Sequence, residues 1–212
     1  MTLLNIEIYS DLICPWCYIG RRRLEEGINL LGASEPPNNL WRPFELNPEM
    51  PKTGLDRKAY RSAKFGSWER SQAMDREVAS TGKTVGLEFN YGRILVTPNT
   101  FAGHRLLWWA RDEGLQDILA DALFRAYFIE GLDIGKNEVL AEVAAGAGLS
   151  KEDAKHFLES DQGRDEVLAE EREGGRLGLN AVPFFVINGV PAISGAQRPE
   201  VFVEAFRQVR SS

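Results

Sequence analysis

The stretch Ile6-Glu7-Ile8-Tyr9-Ser10-Asp11-Leu12-Ile13-Cys14-Pro15-Trp16-Cys17-Tyr18-Ile19-Gly20 holds both cysteines of the 212-residue chain. From Leu3 to Tyr9 the residues alternate, with Leu4, Ile6 and Ile8 on one face and Asn5, Glu7 and Tyr9 on the other. That period of two predicts a strand. From Pro15 onward Ile19, Leu24, Ile28 and Leu31 recur at near-helical spacing, and Gly32 supplies a stop. Pro15 suits the first helical turn, where a missing N–H costs nothing. Cys14 therefore sits at a strand-to-helix junction, with Cys17 one turn inside and on the same face. A helix amino terminus favours an anion, so this position makes Cys14 the nucleophile and leaves Cys17 to resolve.

Three readings of the pair stand side by side: two buried structural thiols, half of a metal site, and a redox dithiol. A closed zinc site needs four ligands. Beyond the two cysteines the chain offers only His104 and His156, far apart in sequence. The spacing and the helix start favour the redox pair, and no metal is expected.

Composition narrows the setting. With 43% hydrophobic and 26% charged residues the chain is ordinary for a globular protein. Its 25 basic against 31 acidic residues give a formal charge of -6, which offers no electrostatic footprint for nucleic acid or an anionic membrane. Arg21-Arg22-Arg23 is its one basic run and reads as a solvated helix face. The first residues lack the basic and apolar regions of a secretory signal, and no stretch approaches the roughly 18 apolar residues of a spanning helix. A cytoplasmic protein is expected, where a cysteine pair is catalytic or metal-binding more often than structural.

Further along, Pro36-Pro37-Asn38-Asn39 is a turn cluster and Leu40 to Leu46 alternates as a second strand, with Pro43 arguing for an edge position or a bulge. From about residue 55 to 178 helical periodicity dominates: Arg57 to Ser80, Thr100 to Glu113, Leu115 to Ile129, Asn137 to Ala147, a helix opened by Ser150, and Asp161 to Leu177, whose acids read as a solvated face. Strand character returns at Val182 to Ile187. Asn188-Gly189 is a hairpin turn signal, Val190 to Ser194 pairs back, and Pro199 to Val209 closes the chain as a helix.

The segment Ser10 to Gly20, together with Val182-Pro183-Phe184-Phe185-Val186 and Ser194-Gly195-Ala196-Gln197, resembles the FrnE-like branch of the DsbA family over nearly the whole chain. The wider family includes the 2-hydroxychromene-2-carboxylate isomerases and kappa-class glutathione transferases. The resemblance implies an α/β, thioredoxin-like fold with a large all-helical insertion, divided into residues 1–53 with 181–212 and an insertion of 54–180. It implies that Pro183 is a cis-proline facing the active-site helix, so that the backbone of Val182 could pair with an extended partner; an ordinary strand-opening proline is the plainer reading.

In the isomerase and transferase relatives serine usually stands where Cys14 is, and this departure favours dithiol chemistry. The same resemblance places glutathione's γ-glutamyl end at Ser194 to Gln197, although Ser194 and Gln197 read more simply as cap and flank of the last helix. Asn99-Thr100-Phe101 and His104-Arg105 resemble a segment that faces the family's active site; His104 would shuttle a proton there, or else be a satisfied core-edge histidine. Pro15 and Trp16 would shape the surroundings of the dithiol, and Asp11 would cap the loop.

The leading expectation is thus a thiol-disulfide oxidoreductase whose partners are protein thiols and disulfides or glutathione, as monomer or homodimer, with no cofactor beyond glutathione as a thiol co-substrate. A glutathione-dependent isomerase or transferase, its apolar pocket lined by Phe101, Trp108 or Tyr127, is the second reading. A peptide-binding module without turnover is the third.

Overall fold

In a computed structural model the described residues are 4–32 and 36–211; Leu3, at the start of the expected first strand, lies outside them. Strand β1 (Asn5–Ser10) runs into helix α1 (Pro15–Leu31), whose carboxyl end is closed by Gly32 at φ 63°. The chain then returns as β2 (Asn38–Pro43), parallel to β1. Asn38 and Asn39 belong to that strand and not to a turn, because Asn38 Nδ2 and the Asn38 backbone N–H both find partners beside β1. The strand ends at Pro43, on a sheet edge where its missing N–H is tolerated.

After β2 comes a long excursion. A two-residue strand β3 (Leu55–Asp56) leads into α2 (Arg57–Phe65) and α3 (Trp68–Lys83), and β3 pairs with β4 (Val96–Thr97). The inserted segment is therefore not all-helical: this short ribbon closes the loop that carries α2 and α3, and Gly54 at φ 69° lets the backbone approach Val96 and Thr97. Helices α4 (Phe101–Trp109), α5 (Gln116–Arg125), α6 (Asn137–Gly146), α7 (Lys151–Glu159) and α8 (Arg164–Arg176) follow, α5 continuing through a π-helical turn to Glu130. Ser150 caps α7 by accepting from Asp153 N.

The chain finishes with β5 (Phe184–Ile187), a tight turn at Asn188 (φ 50°) and Gly189 (φ 79°), β6 (Val190–Ser194) and α9 (Pro199–Ser211). The sheet order is β2-β1-β5-β6, with β1–β5 and β5–β6 antiparallel. Helix α1 lies on α9, where a Cβ on Gly27 would come within 2.8 Å of Phe202 Cβ. Ile6, Ile8, Ile19, Phe185, Phe202 and Phe206 fill this core, each worth about 1.5–3 kcal/mol of apolar burial. This is the α/β, thioredoxin-like fold with a helical insertion.

The insertion is fastened by specific contacts. Tyr18 of α1 stacks on Phe124 of α5 at 5.0 Å. Gln116 satisfies the backbone of Trp41 with both ends of its amide, accepting from the N–H at 2.9 Å and donating to the carbonyl at 3.1 Å, so α5 covers the edge of β2. The basic run on α1 is not solvated: Arg21 is buried against Glu25, Asp117 and Asp121, Arg22 reaches Glu25 and Asp121, and Arg23 donates to Ala196 O. Arg21 and Arg22 share Glu25 and Asp121, whereas Arg23 reaches the turn before α9.

Candidate active site

The loop Asp11 to Ile13 turns β1 into α1. Cys14 N donates to Asp11 O at 3.0 Å, and Cys14 O accepts the first helical N–H from Cys17, so Cys14 occupies the amino cap and Cys17 lies within the first turn. Both are free thiols. Both sulfurs are buried, Cys14 being 5% accessible and Cys17 1%. The difference between them is directional. Cys14 opens on a cavity of about 310 Å³, and Cys17 does not line it. Burial, reinforced by the hydrogen bond and charge of Cys14, pushes the Cys17 thiol well above its ordinary value, against weaker opposition from Ser10 and the Asp11 backbone.

The far end of the chain forms the opposite wall. The Val182–Pro183 peptide is cis, and Cys14 Sγ donates to Val182 O at 3.6 Å. Pro183 does not line the cavity; its ring lies behind, where a Cβ on Gly20 would stand 2.9 Å from Pro183 Cγ. Pro15, Trp16 (37% exposed) and Val182 line the cavity with Cys14, completing the group of predicted residues that the fold brings together.

The remaining predicted residues sit elsewhere. Asn99 is a structural joint: its Nδ2 donates to Met50 O at 2.8 Å and its Oδ1 accepts from Phe101 N at 3.0 Å. Ser194 and Gln197 are exposed and do not reach the cavity; Gln197 Nε2 donates to Ser194 O at 2.9 Å, bracing the turn before α9. Of the pocket residues expected for the second reading, Tyr127 lines the cavity, whereas Trp108 packs on Gly163 and Phe101 lies under the Arg164 guanidinium.

His104 is buried at 3% exposure beneath the dithiol loop, not in the cavity. Its Nε2 lies 3.7 Å from Asp11 Oδ1, an ion-pair distance longer than a hydrogen bond. Asp11 is fully buried and caps the loop, accepting from Leu46 N at 2.7 Å and Ile13 N at 3.4 Å. Burial works to lower the His104 pKa, but Asp11, with Glu45 and Glu171, holds it above 6.5. Burial raises Glu45 to about 7 and also raises Glu171. Glu171 and Glu170 thus depart from the solvated face expected of their helix, Glu170 being held by Arg42 and Arg111.

Sequence reasoning missed the wall formed by α2 and α3. Arg57, Arg61 and Lys64 all line the cavity, with Tyr60, Asp75 and Asn47. The signal was present, since positions i, i+4 and i+7 share one helix face. It was hidden in a segment that reads simply as charged.

The DSBA-like thioredoxin domain family matches residues 5–207. The chain belongs to that family. Its fold superposes on a probable DsbA oxidoreductase from Streptomyces coelicolor with a TM-score of 0.91 and 35% identity, covering 99% of this chain and 91% of that one. The protein YwbO of Bacillus subtilis (strain 168) is 28% identical over 202 residues, 95% of this chain and 94% of that one. A 2-hydroxychromene-2-carboxylate isomerase shares the fold at a TM-score of 0.73 and 14% identity, over 97% of this chain and 96% of that one. The chain is thus a member of a DsbA-like oxidoreductase family. No helix among the described residues is long and apolar enough to cross a membrane.

Proposed function

We propose that this protein is a cytoplasmic thiol-disulfide oxidoreductase, with Cys14 the attacking sulfur and Cys17 the resolving one. The observation that carries this reading is the asymmetry of the pair: Cys14 opens on the cavity, while Cys17 is sealed behind it and holds its proton. In the forward direction the Cys14 thiolate attacks one sulfur of a partner disulfide. The Cys14–partner disulfide forms, the partner's own S–S bond breaks, and the leaving thiolate takes up a proton. Cys17 then gives up its proton and attacks the Cys14 sulfur, releasing the second partner thiol. The protein dithiol is oxidised by two electrons, the partner disulfide is reduced to two thiols, and excess thiol drives the same steps backwards. Val182 O, which accepts from the resting Cys14 thiol, and the backbone beside it would align the partner.

A Cys17→Ser variant should accumulate a mixed disulfide on Cys14 that mass spectrometry identifies, with protein thiols or glutathione as the attached partner. Full activity in Cys14→Ser would overturn the reading.

A second reading, a glutathione-dependent isomerase or transferase, is favoured by the largely apolar lining of the cavity. There Cys14 would be dispensable and glutathione binding obligatory. Calorimetric titration of Cys14→Ser with glutathione separates the two, since this reading requires binding to survive.

A further inference from the structure

The cavity carries a charge that dithiol exchange by itself does not require. Among the described residues that line it, three are cationic, Arg57, Arg61 and Lys64, and one, Asp75, is anionic. Asp75 is shared, its Oδ2 accepting from Arg57 and its Oδ1 from Arg61, each at 2.8 Å. Lys64 Nζ meets neutral groups, Asn47 Oδ1 and the Tyr60 hydroxyl, each at 2.8 Å. Three positive charges against one negative leave an excess of two beside Cys14, in a chain whose formal charge is -6.

These cations are held in place by aromatic rings. The Arg57 guanidinium lies 5.6 Å from the Trp68 ring and 5.3 Å from that of Tyr91, Arg61 lies 4.8 Å from Phe65, and Lys64 lies 5.3 Å from Tyr60. Tyr91 also lines the cavity, and its buried hydroxyl has no hydrogen-bond partner among the described residues. Most of the remaining lining is apolar, and Trp16, Phe65, Tyr127 and Phe128 add flat aromatic faces to the aliphatic Val78 and Ile94. A space of about 310 Å³ is at the small end of ligand sites, and Cys14, only 5% exposed, is reached through it.

We propose that the partner accepted at Cys14 is a small aromatic thiol or disulfide bearing a carboxylate or comparable anion. The ring fills the apolar part of the cavity, the anion faces Lys64 and Arg61, and the sulfur meets Cys14. This rests on the oxidoreductase reading and narrows its substrate class. The exchange is the one described above: one partner S–S bond breaks, the Cys14–Cys17 disulfide forms, and two aromatic thiols leave.

The test uses the reduced full-length protein and three disulfides: anionic aromatic dithiobis(nitrobenzoate), uncharged aromatic dithiodipyridine, and anionic non-aromatic glutathione disulfide. Each rate is divided by that of free cysteine with the same reagent. The normalised rate should favour the anionic aromatic reagent by about tenfold over either alternative, and the preference should shrink as salt rises. Lys64→Gln should remove most of the preference over dithiodipyridine, and Lys64→Arg should restore it. Equal normalised rates for the charged and uncharged rings, or a preference untouched by Lys64→Gln, would overturn the anion site. A faster reaction with glutathione disulfide would overturn the aromatic part. Failure of all three reagents to produce the Cys14–Cys17 disulfide would instead sink the oxidoreductase reading.

Discussion

Cys14 Sγ donates to Val182 O at 3.6 Å, joining positions 168 residues apart. The helix start that presents the sulfur and the strand that walls it come from opposite ends of the chain. They meet because β1 pairs with β5, setting Ile8 opposite Phe185 and Tyr9 opposite Phe184. The insertion leaves and re-enters the domain on either side of this pairing, and α2 and α3 supply the cavity's remaining wall.

Gly20 is the point at which α1 touches that wall. A methyl there would lie 2.9 Å from Pro183 Cγ and 3.4 Å from Phe185 Cζ. Gly20→Ala should therefore cost about 1–3 kcal/mol in denaturant unfolding and slow mixed-disulfide formation at Cys14 by displacing Val182. Gly175→Ala, at an exposed position of α8 with open space around its Cβ, should be neutral or stabilising by up to about 1 kcal/mol.

Asp75 is the one carboxylate shared by Arg57 and Arg61. Asp75→Ala leaves a buried guanidinium unpaired and should lower stability by about 3–5 kcal/mol in urea melts. Adding Arg57→Met should recover part of that loss, since it removes the stranded charge.

The buried group around His104 imposes a pH dependence of definite sign. Glu45 holds its proton to about 7 when folded, against 4.5 unfolded. Glu171 is also raised above 4.5, and His104 above 6.5. A group that binds its proton more tightly folded than unfolded stabilises the protein at low pH, and that advantage is lost as pH rises through its folded pKa. This cluster's contribution to stability should fall between pH 4.5 and 7 through Glu45, with Glu171 adding to the fall above 4.5 and His104 above 6.5. Glu45→Gln should flatten the lower part of that fall, as read from urea midpoints across the window. An unchanged slope would show that Glu45 ionises normally.

Removing the Asp11 charge leaves burial as the dominant influence on His104. In Asp11→Asn the imidazole should titrate below 6.5 instead of above it. The chain has only two histidines, so proton NMR resolves His104 from His156 directly. The dithiol loop should survive, because an asparagine oxygen can still accept from Leu46 N.

Much of the fold was legible from local pattern. Alternation marked β1, near-helical spacing and Gly32 bounded α1, Ser150 marked a helix start, and Asn188-Gly189 marked the hairpin. The β3–β4 ribbon was illegible because two residues per strand are too few to establish a period. The Arg57-to-Ser80 segment concealed a break between helices at Gly66 and Ser67, which end α2 and cap α3 respectively. Within the site, Cys14, Pro15, Trp16 and Val182 were legible because one motif and one strand opening carry them. Asp75, Glu45 and Glu171 were not, since a carboxylate's burial depends on what packs over it.

By itself, then, the sequence determined the strand-to-helix junction that sets Cys14 ahead of Cys17, because periodicity and capping act over a few residues and leave their mark in composition. Only the tertiary structure decided that Cys14 opens on a walled cavity, that His104 lies beneath the loop with three carboxylates, and that Arg57, Arg61 and Lys64 line the same cavity as Cys14. Those outcomes depend on which distant surfaces exclude water together, and burial of that kind is a property of packed elements that no short stretch of chain carries alone.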